Sequence, residues 1–177
     1  MDWIIGDCGI PWLDDDIIML RLYYAQILFI LYNLKEGGNC IFKFLLPIKH
    51  KILIDMLYLL YLTFKDIQLI KPVQNKFSPE FYIAAYNYNN TLIKDFDTLF
   101  NILKKDIHTS IFKDDYCDDF KYQFIAGVKM ITNSFIETIN MQIFYTDFWN
   151  ELNKDIKDKI KKMIYIKNQE FIRKYLL

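Results

Sequence analysis

The chain has 177 residues, of which 53 % are apolar, and its 22 basic residues balance its 22 acidic residues. This composition argues against a disordered polypeptide and is typical of one folded domain with a sizeable core, alone or with an appendage. Zero net charge gives no overall field for nucleic acid, so any RNA contact needs a local patch. Cys8, Cys40 and Cys117 lie too far apart for a disulfide framework or a zinc site, which favours a reducing, cytoplasmic environment.

The first half of the chain alternates short strand-like runs with longer apolar runs. We predict helices at 17–34 and 50–64, and strands at 3–6, 40–46, 66–70 and 81–86. This order predicts an α/β sheet that is mostly parallel, with an antiparallel last strand after a short loop. The run 40–46 lacks polar alternation, which is typical of a strand covered on both faces of its sheet.

After residue 90 the pattern changes to helices, which we predict at 91–107, 120–145 and 147–175. Residues 87–90 are the only candidate boundary, so the sequence predicts an α/β domain over 1–90 and a helical extension over 91–177. The apolar run 17–34 resembles a membrane span, but Arg21, Gln26 and Asn33 interrupt it. We therefore predict no membrane partner.

Three ionisable residues, Asp7, Lys43 and Glu80, lie at or near predicted strand ends. Their spacings of 36 and 37 residues each match about one strand–helix–strand unit, and such positions meet at one edge of a parallel sheet. A lysine inside an apolar strand is costly unless it has a partner or a chemical role. We predict that the two carboxylates flank Lys43 and keep it an ammonium.

Three motifs occur in order: Asp7-Cys8-Gly9, the segment LKEGGNCIFK at 34–43, and Lys-Pro at 71–72 followed by Ser-Pro-Glu at 78–80. Together they resemble the second half of FtsJ-like RNA ribose 2′-O-methyltransferases, over about residues 2–88. That family uses a Lys-Asp-Lys-Glu tetrad on a Rossmann-type fold that binds S-adenosylmethionine. The resemblance implies that Asp7, Lys43 and Glu80 are three of the four catalytic residues.

The same resemblance implies roles for residues beside this triad. Asp7, Cys8 and Gly9 are expected to contact S-adenosylmethionine. The resemblance also implies, more weakly, that Lys71, Lys76 and Ser78 contact RNA. Lys76 stands where the family often has arginine. No metal site is expected, since the acidic run 14–16 is better explained as a loop and helix N-cap.

The sequence also departs from the family pattern. In the family, three features lie upstream of the tetrad aspartate: the first tetrad lysine, the glycine-rich cofactor loop and the acidic residue that binds the cofactor ribose. Only six residues precede Asp7 here. The resemblance therefore implies a half of the enzyme that is inactive by itself. The strand 3–6 would then be an apolar sheet edge, which a protein partner, a dimer mate or the helical tail has to cover.

Two other interpretations stay open at this point. The chain could be a non-catalytic, methyltransferase-like subunit that binds a partner or RNA, or an unrelated α/β domain whose charges are structural. The lysine-rich segment 153–174 could bind an RNA backbone, although it also fits a solvated helix face. By analogy, the helical tail favours an mRNA cap enzyme of viral origin over a minimal ribosomal-RNA enzyme.

Overall fold

A computed structural model of the chain describes residues 1–8, 16–72, 78–113 and 115–175, without the side chains of 171, 172, 174 and 175. Two compact units are present, Met1–Phe135 and Ile136–Leu177. Their elements are β1 (Trp3–Gly6), α1 (Asp16–Asn33), β2 (Asn39–Leu45), α2 (Lys51–Thr63), β3 (Phe64–Ile70), β4 (Glu80–Tyr88), a 3-10 turn (Asn90–Leu92), α3 (Phe96–Lys105), α4 (Asp118–Glu151) and α5 (Lys154–Tyr175). Within the described ranges, no helix has the length and apolarity needed to span a membrane.

The four strands form one mixed sheet in the order β1-β2-β4-β3. β1 pairs with β2 in parallel, and β4 pairs antiparallel with both β2 and β3. The first three strands therefore run in one direction and the last strand runs against them. This confirms the predicted α/β class and the antiparallel last strand. The prediction of mostly parallel pairing is wrong for the described strands, because β4 lies between β2 and β3 and only the β1–β2 pairing is parallel.

Two glycines lie in the connection between α1 and β2, directly before the strand begins. Gly37 has a φ of 73°, a left-handed conformation that glycine adopts without steric cost. A Cβ on Gly38 would lie 2.7 Å from Cγ of Leu34 and 2.8 Å from the carbonyl oxygen of Lys35, so only glycine fits there. The Gly37 N–H donates to the carbonyl of Tyr88 at 2.8 Å, which ties this turn to the end of β4.

The two faces of the sheet differ in burial. On one face Phe42, Phe44, Phe81 and Ile83 are fully buried, and the ring of Tyr23 from α1 stacks on Phe44 with centroids 4.5 Å apart. Leu57 and Leu60 of α2 line a cavity on this same face together with Phe81 and Ile83. Helices α1 and α2 thus cover one side of the sheet, where the core lies.

The opposite face of the sheet, which we call the open face, carries Trp3, Ile5, Ile41, Lys43 and Tyr82. Trp3 and Ile5 are 54 % and 76 % exposed, and the other three are half-buried. Burial along β2 alternates strictly, so the prediction that both faces of this strand are covered is wrong for the described part of the chain. The unbroken apolar pattern of β2 arises because its second face is apolar and yet uncovered by the described residues.

Part of the predicted helical extension packs with the sheet, since the first unit continues to Phe135. The helix expected at 91–107 is a 3-10 turn followed by α3, which Asp95 caps through the N–H of Thr98 at 2.9 Å. Arg21 and Tyr24 of α1 donate to carbonyls of α3 at 2.7 and 2.9 Å.

The helix break predicted at residue 146 is also wrong. α4 continues to Glu151, and α5 begins at Lys154, where the side chain of Asn153 accepts the N–H of Ile156 at 3.0 Å. The reason is that Asn153 provides an N-cap at the true break, whereas Thr146 has the apolar periodicity of α4 on both sides. The second unit comprises the end of α4 and α5.

Candidate functional site

The side chains of Lys43 and Asp7 form an ion pair at the end of β1. Parallel pairing of Gly6 with Phe42 places the next residues, Asp7 and Lys43, beside each other. The distance from Lys43 Nζ to Asp7 Oδ1 is 2.5 Å. The side chain of Lys43 is only 14 % exposed, whereas that of Asp7 is 63 % exposed. The ammonium is therefore largely shielded from solvent, while its carboxylate partner faces solvent.

Glu80, the first residue of β4, belongs to the same cluster. It is the register partner of Leu45, while Tyr82 is the partner of Lys43. Residues two apart along a strand share one face, so Glu80 and Tyr82 lie on the open face with Lys43. Asp7 thus contacts Lys43, and Glu80 lies at the diagonal register position, where its charge acts on Lys43 and also on the buried Tyr23.

The charge state of Lys43 follows from this arrangement. The hydrogen bond to Asp7 raises the pKa of Lys43; partial burial opposes this, and the negative charges of Asp7 and Glu80 add to the rise. The lysine is an ammonium at neutral pH, as predicted from the sequence. An ammonium can donate hydrogen bonds and stabilise negative charge, but it cannot accept a proton.

Sequence reasoning missed Gln26, which lies on α1 beneath this pair. Its side chain is 6 % exposed, and its Oε1 accepts the backbone N–H of Cys8 at 3.1 Å. Its Nε2 donates to the carbonyl oxygen of Lys43 at 3.2 Å. The available signal was an amide in the middle of a largely apolar helical run, since a buried amide requires hydrogen-bond partners.

Of the other residues predicted to contact cofactor or RNA, Lys71 and Ser78 make hydrogen bonds within the chain, and two lie outside the described residues. Lys71 donates its ammonium to the carbonyl oxygens of Ser78 and Glu80, and burial lowers its pKa while the charge of Glu80 acts in the opposite direction. The hydroxyl of Ser78 accepts the N–H of Glu80 at 3.1 Å. These contacts hold the entry to β4, whereas Gly9 and Lys76 lie outside the described residues.

A second polar cluster is centred on Asp55 of α2, whose side chain is fully buried. Its carboxylate accepts hydrogen bonds from Lys51 at 3.1 Å, Ser110 at 3.0 Å, the N–H of Ile111 at 2.7 Å and the hydroxyl of Tyr116. Burial by itself would raise the pKa of Asp55, but these hydrogen bonds outweigh it and lower the pKa. The cluster fastens the connection between α3 and α4 to α2.

The described ranges contain no group of three or more His, Cys, Asp or Glu residues placed to hold a metal ion. The Lys43 cluster offers an ammonium, the carboxylates of Asp7 and Glu80, and the hydroxyl of Tyr82. Such a set can orient a hydroxyl and stabilise an oxyanion.

Comparison with known proteins gives one viral relative. No family model matches the chain. The chain is 25 % identical over 190 aligned positions to an uncharacterized protein, L511, of Acanthamoeba polyphaga mimivirus. The alignment covers 97 % of this chain but only 24 % of that protein, so the chain spans about a quarter of the length of this curated relative.

Proposed function

We propose that this chain forms the lysine-bearing half of an RNA ribose 2′-O-methyltransferase that uses S-adenosylmethionine. The observation that carries the proposal is the ion pair of Lys43 with Asp7, together with the position of Glu80 one diagonal register step from Lys43, from which its charge acts on the lysine. This is the grouping that the FtsJ-like resemblance implies for three of its four catalytic residues. The mixed sheet with an antiparallel last strand supports the same proposal.

The proposed reaction is an in-line displacement. When bound, S-adenosylmethionine would supply the methyl group: the ribose 2′-oxygen would form a bond to the methyl carbon as the carbon–sulfur bond breaks, and the sulfonium would leave as a neutral thioether. Lys43, held as an ammonium by Asp7, donates a hydrogen bond to the 2′-oxygen and stabilises the charge that develops there. Lys43 is already protonated, so the hydroxyl proton would pass to solvent water and not to the lysine.

The open face favours a composite enzyme. Trp3 and Ile5 expose large apolar surfaces beside the Asp7–Lys43 pair, at the edge strand of the described sheet. We propose that a cofactor-binding half, contributed by the same longer polypeptide or by a partner protein, covers this edge. The length of the viral relative is compatible with the first arrangement.

The proposed substrate is RNA, with an mRNA cap favoured over ribosomal RNA by analogy with larger enzymes that carry helical extensions. A viral cap enzyme would act in the host cytoplasm or in the virion. The basic face of α5 in the second unit is a candidate RNA-backbone contact, since it carries Lys154, Lys157, Lys161 and Lys162.

The decisive experiment measures transfer of a labelled methyl group from S-adenosylmethionine to capped RNA by the full-length gene product. Lys43→Ala is expected to lower the rate by about 100-fold or more, because it removes the group that stabilises the attacking oxygen. Lys35→Ala is the matched control, since Lys35 forms a comparable but exposed ion pair with Asp2 and should leave the rate unchanged. An undiminished rate for Lys43→Ala would remove the proposed role.

A second candidate function is a non-catalytic subunit that binds a partner through the open face. The exposure of Trp3 and Ile5 favours it as much as it favours a composite enzyme. Calorimetry with S-adenosylmethionine separates the two when the chain is mixed with its partner. Micromolar binding supports the enzyme, whereas a stable complex that binds no cofactor supports the subunit.

A further inference from the structure

We propose that Gln26 is a positioning residue that sets the spacing between the Asp7–Cys8 backbone and Lys43. This inference deepens the proposed function and rests on it for its catalytic consequence. The geometry itself stands on contacts within the first unit and can be tested without turnover.

The buried amide of Gln26 has a partner for each of its two polar atoms. Both of its polar atoms make a hydrogen bond, one to the N–H of Cys8 and one to the carbonyl oxygen of Lys43. Burying an amide without such partners would cost several kcal/mol. Both hydrogen-bond partners lie at the ends of β1 and β2, so the buried amide ties α1 to these two strands.

The second argument comes from the register of the two strands. Pairing of β1 with β2 stops at Gly6 and Phe42. Beyond that point the amide of Gln26 bridges the Cys8 N–H and the Lys43 carbonyl, so that a side chain takes the place of the next rung of the ladder. The two backbones are therefore held apart by the width of an amide group, at the position where their side chains form the ion pair.

The third argument is the glycine beside the bridge. A Cβ on Gly6 would lie 2.9 Å from Oε1 of Gln26 and 3.0 Å from Cβ of Phe42. A side chain at residue 6 would therefore displace the amide. The glycine directly before Asp7 is thus explained by the close approach of Gln26, with no requirement on its φ angle.

The functional consequence is that Gln26 fixes the position of Lys43 from the covered side of the sheet. Gln26 holds the main chain of Lys43 from the buried face, while the Lys43 side chain reaches Asp7 on the open face. Displacements of about 1 Å in such an arrangement can lower a rate by about 100-fold. Gln26 would thereby affect the chemical step without touching substrate.

The test uses Gln26→Met, which keeps the length of the side chain and removes both hydrogen bonds. Tyr24→Phe is the matched control. It lies on the same helix and also loses a buried hydrogen bond, but its acceptor, the Leu99 carbonyl, belongs to α3 and not to β1 or β2. In this chain, amide hydrogen exchange at Cys8 is expected to rise at least about tenfold in Gln26→Met, because its acceptor is lost. It should not change in Tyr24→Phe. Unchanged exchange at Cys8 in Gln26→Met would overturn the bridge.

The catalytic consequence is read in the full-length gene product. Gln26→Met is expected to lower kcat about 10- to 100-fold with little change in the KM for S-adenosylmethionine. Gln26→Glu keeps the acceptor for Cys8 but donates to Lys43 only when protonated, so its rate relative to wild type should recover as the pH falls. A pH-independent ratio, or a wild-type kcat in Gln26→Met, would contradict positioning. If wild type itself transfers no methyl group, the proposed function fails, while the exchange data still decide the bridge.

Discussion

The Nζ of Lys43 lies 2.5 Å from the Oδ1 of Asp7, although 36 positions separate the two residues in the sequence. The contact exists because β1 and β2 are adjacent and parallel, so that both residues follow the same register. It places an ammonium that is largely shielded from solvent beside the exposed, apolar edge of the sheet.

The first prediction concerns the reactivity of Lys43. Asp7→Asn removes the carboxylate whose hydrogen bond is the largest cause of the raised pKa of Lys43, and it removes the negative charge that adds to the rise, so the pKa of Lys43 should fall. Acylation of the lysine, followed by mass spectrometry as a function of pH, should show its midpoint moving to lower pH. Asp2→Asn, which affects only the exposed pair with Lys35, is the control, and an unmoved midpoint in Asp7→Asn would contradict the ion pair.

The second prediction concerns the Asp55 cluster. Asp55→Asn replaces a buried carboxylate that accepts four hydrogen bonds, and we expect the free energy of unfolding to fall by about 3 kcal/mol. Chemical denaturation at pH 7 measures the change. Asp66→Asn, at an exposed position on β3, should change the stability by less than about 0.5 kcal/mol.

The third prediction is the pH dependence of that same cluster. Because the pKa of Asp55 is lowered in the folded state, its contribution to stability is present above the unfolded value of about 4 and is lost as the pH falls through the folded value. The stability difference between wild type and Asp55→Asn should therefore be constant near neutral pH and shrink in acid. A difference that grows in acid would mean that the pKa is raised instead.

The fourth prediction concerns Gly6. Gly6→Ala places a methyl group within 3.0 Å of both Gln26 and Phe42, and we expect a loss of about 1–3 kcal/mol in thermal or chemical unfolding. Ile5→Ala, at an exposed neighbouring position, serves as the control with an expected change below about 0.5 kcal/mol. Equal effects of the two substitutions would argue against a tight contact at Gly6.

The fifth prediction concerns the open face. Replacing Trp3 and Ile5 by lysine should leave the fold of this chain intact, because both side chains are largely exposed. The same change should weaken association with a cofactor-binding half by at least about tenfold, since it puts two charges into an apolar contact. Size-exclusion chromatography or calorimetry with that half measures the effect, and unchanged association would place the contact elsewhere.

The fold was largely predictable from the sequence, because its elements carry strong local signals. The glycines at 37 and 38 and the Lys-Pro pair at 71–72 marked the ends of α1 and β3. The helix break after Glu151 was missed, since an asparagine cap inside a long periodic run gives a weak signal. The one-sided burial of the sheet was missed as well, because the sequence of an apolar strand face does not indicate whether another part of the protein covers it.

The candidate site was predictable only in its charged members. Asp7, Lys43 and Glu80 stood out because ionisable groups in or next to apolar strands require an explanation. Gln26 did not, since its role depends on where α1 crosses the ends of β1 and β2, which is a tertiary relationship. The same holds for three of the four partners of Asp55, namely Ser110, Ile111 and Tyr116, which come from a connection more than 50 residues further along the chain.

The central claim is that Lys43 and its carboxylates serve methyl transfer to an RNA ribose. Its most direct test is mass spectrometry of nucleosides from capped RNA, after incubation with S-adenosylmethionine and the full-length gene product. We predict that wild type forms a 2′-O-methylated nucleoside, and that Lys43→Ala forms almost none while retaining the wild-type melting temperature. A folded Lys43→Ala protein that forms the same amount of this nucleoside would contradict the account.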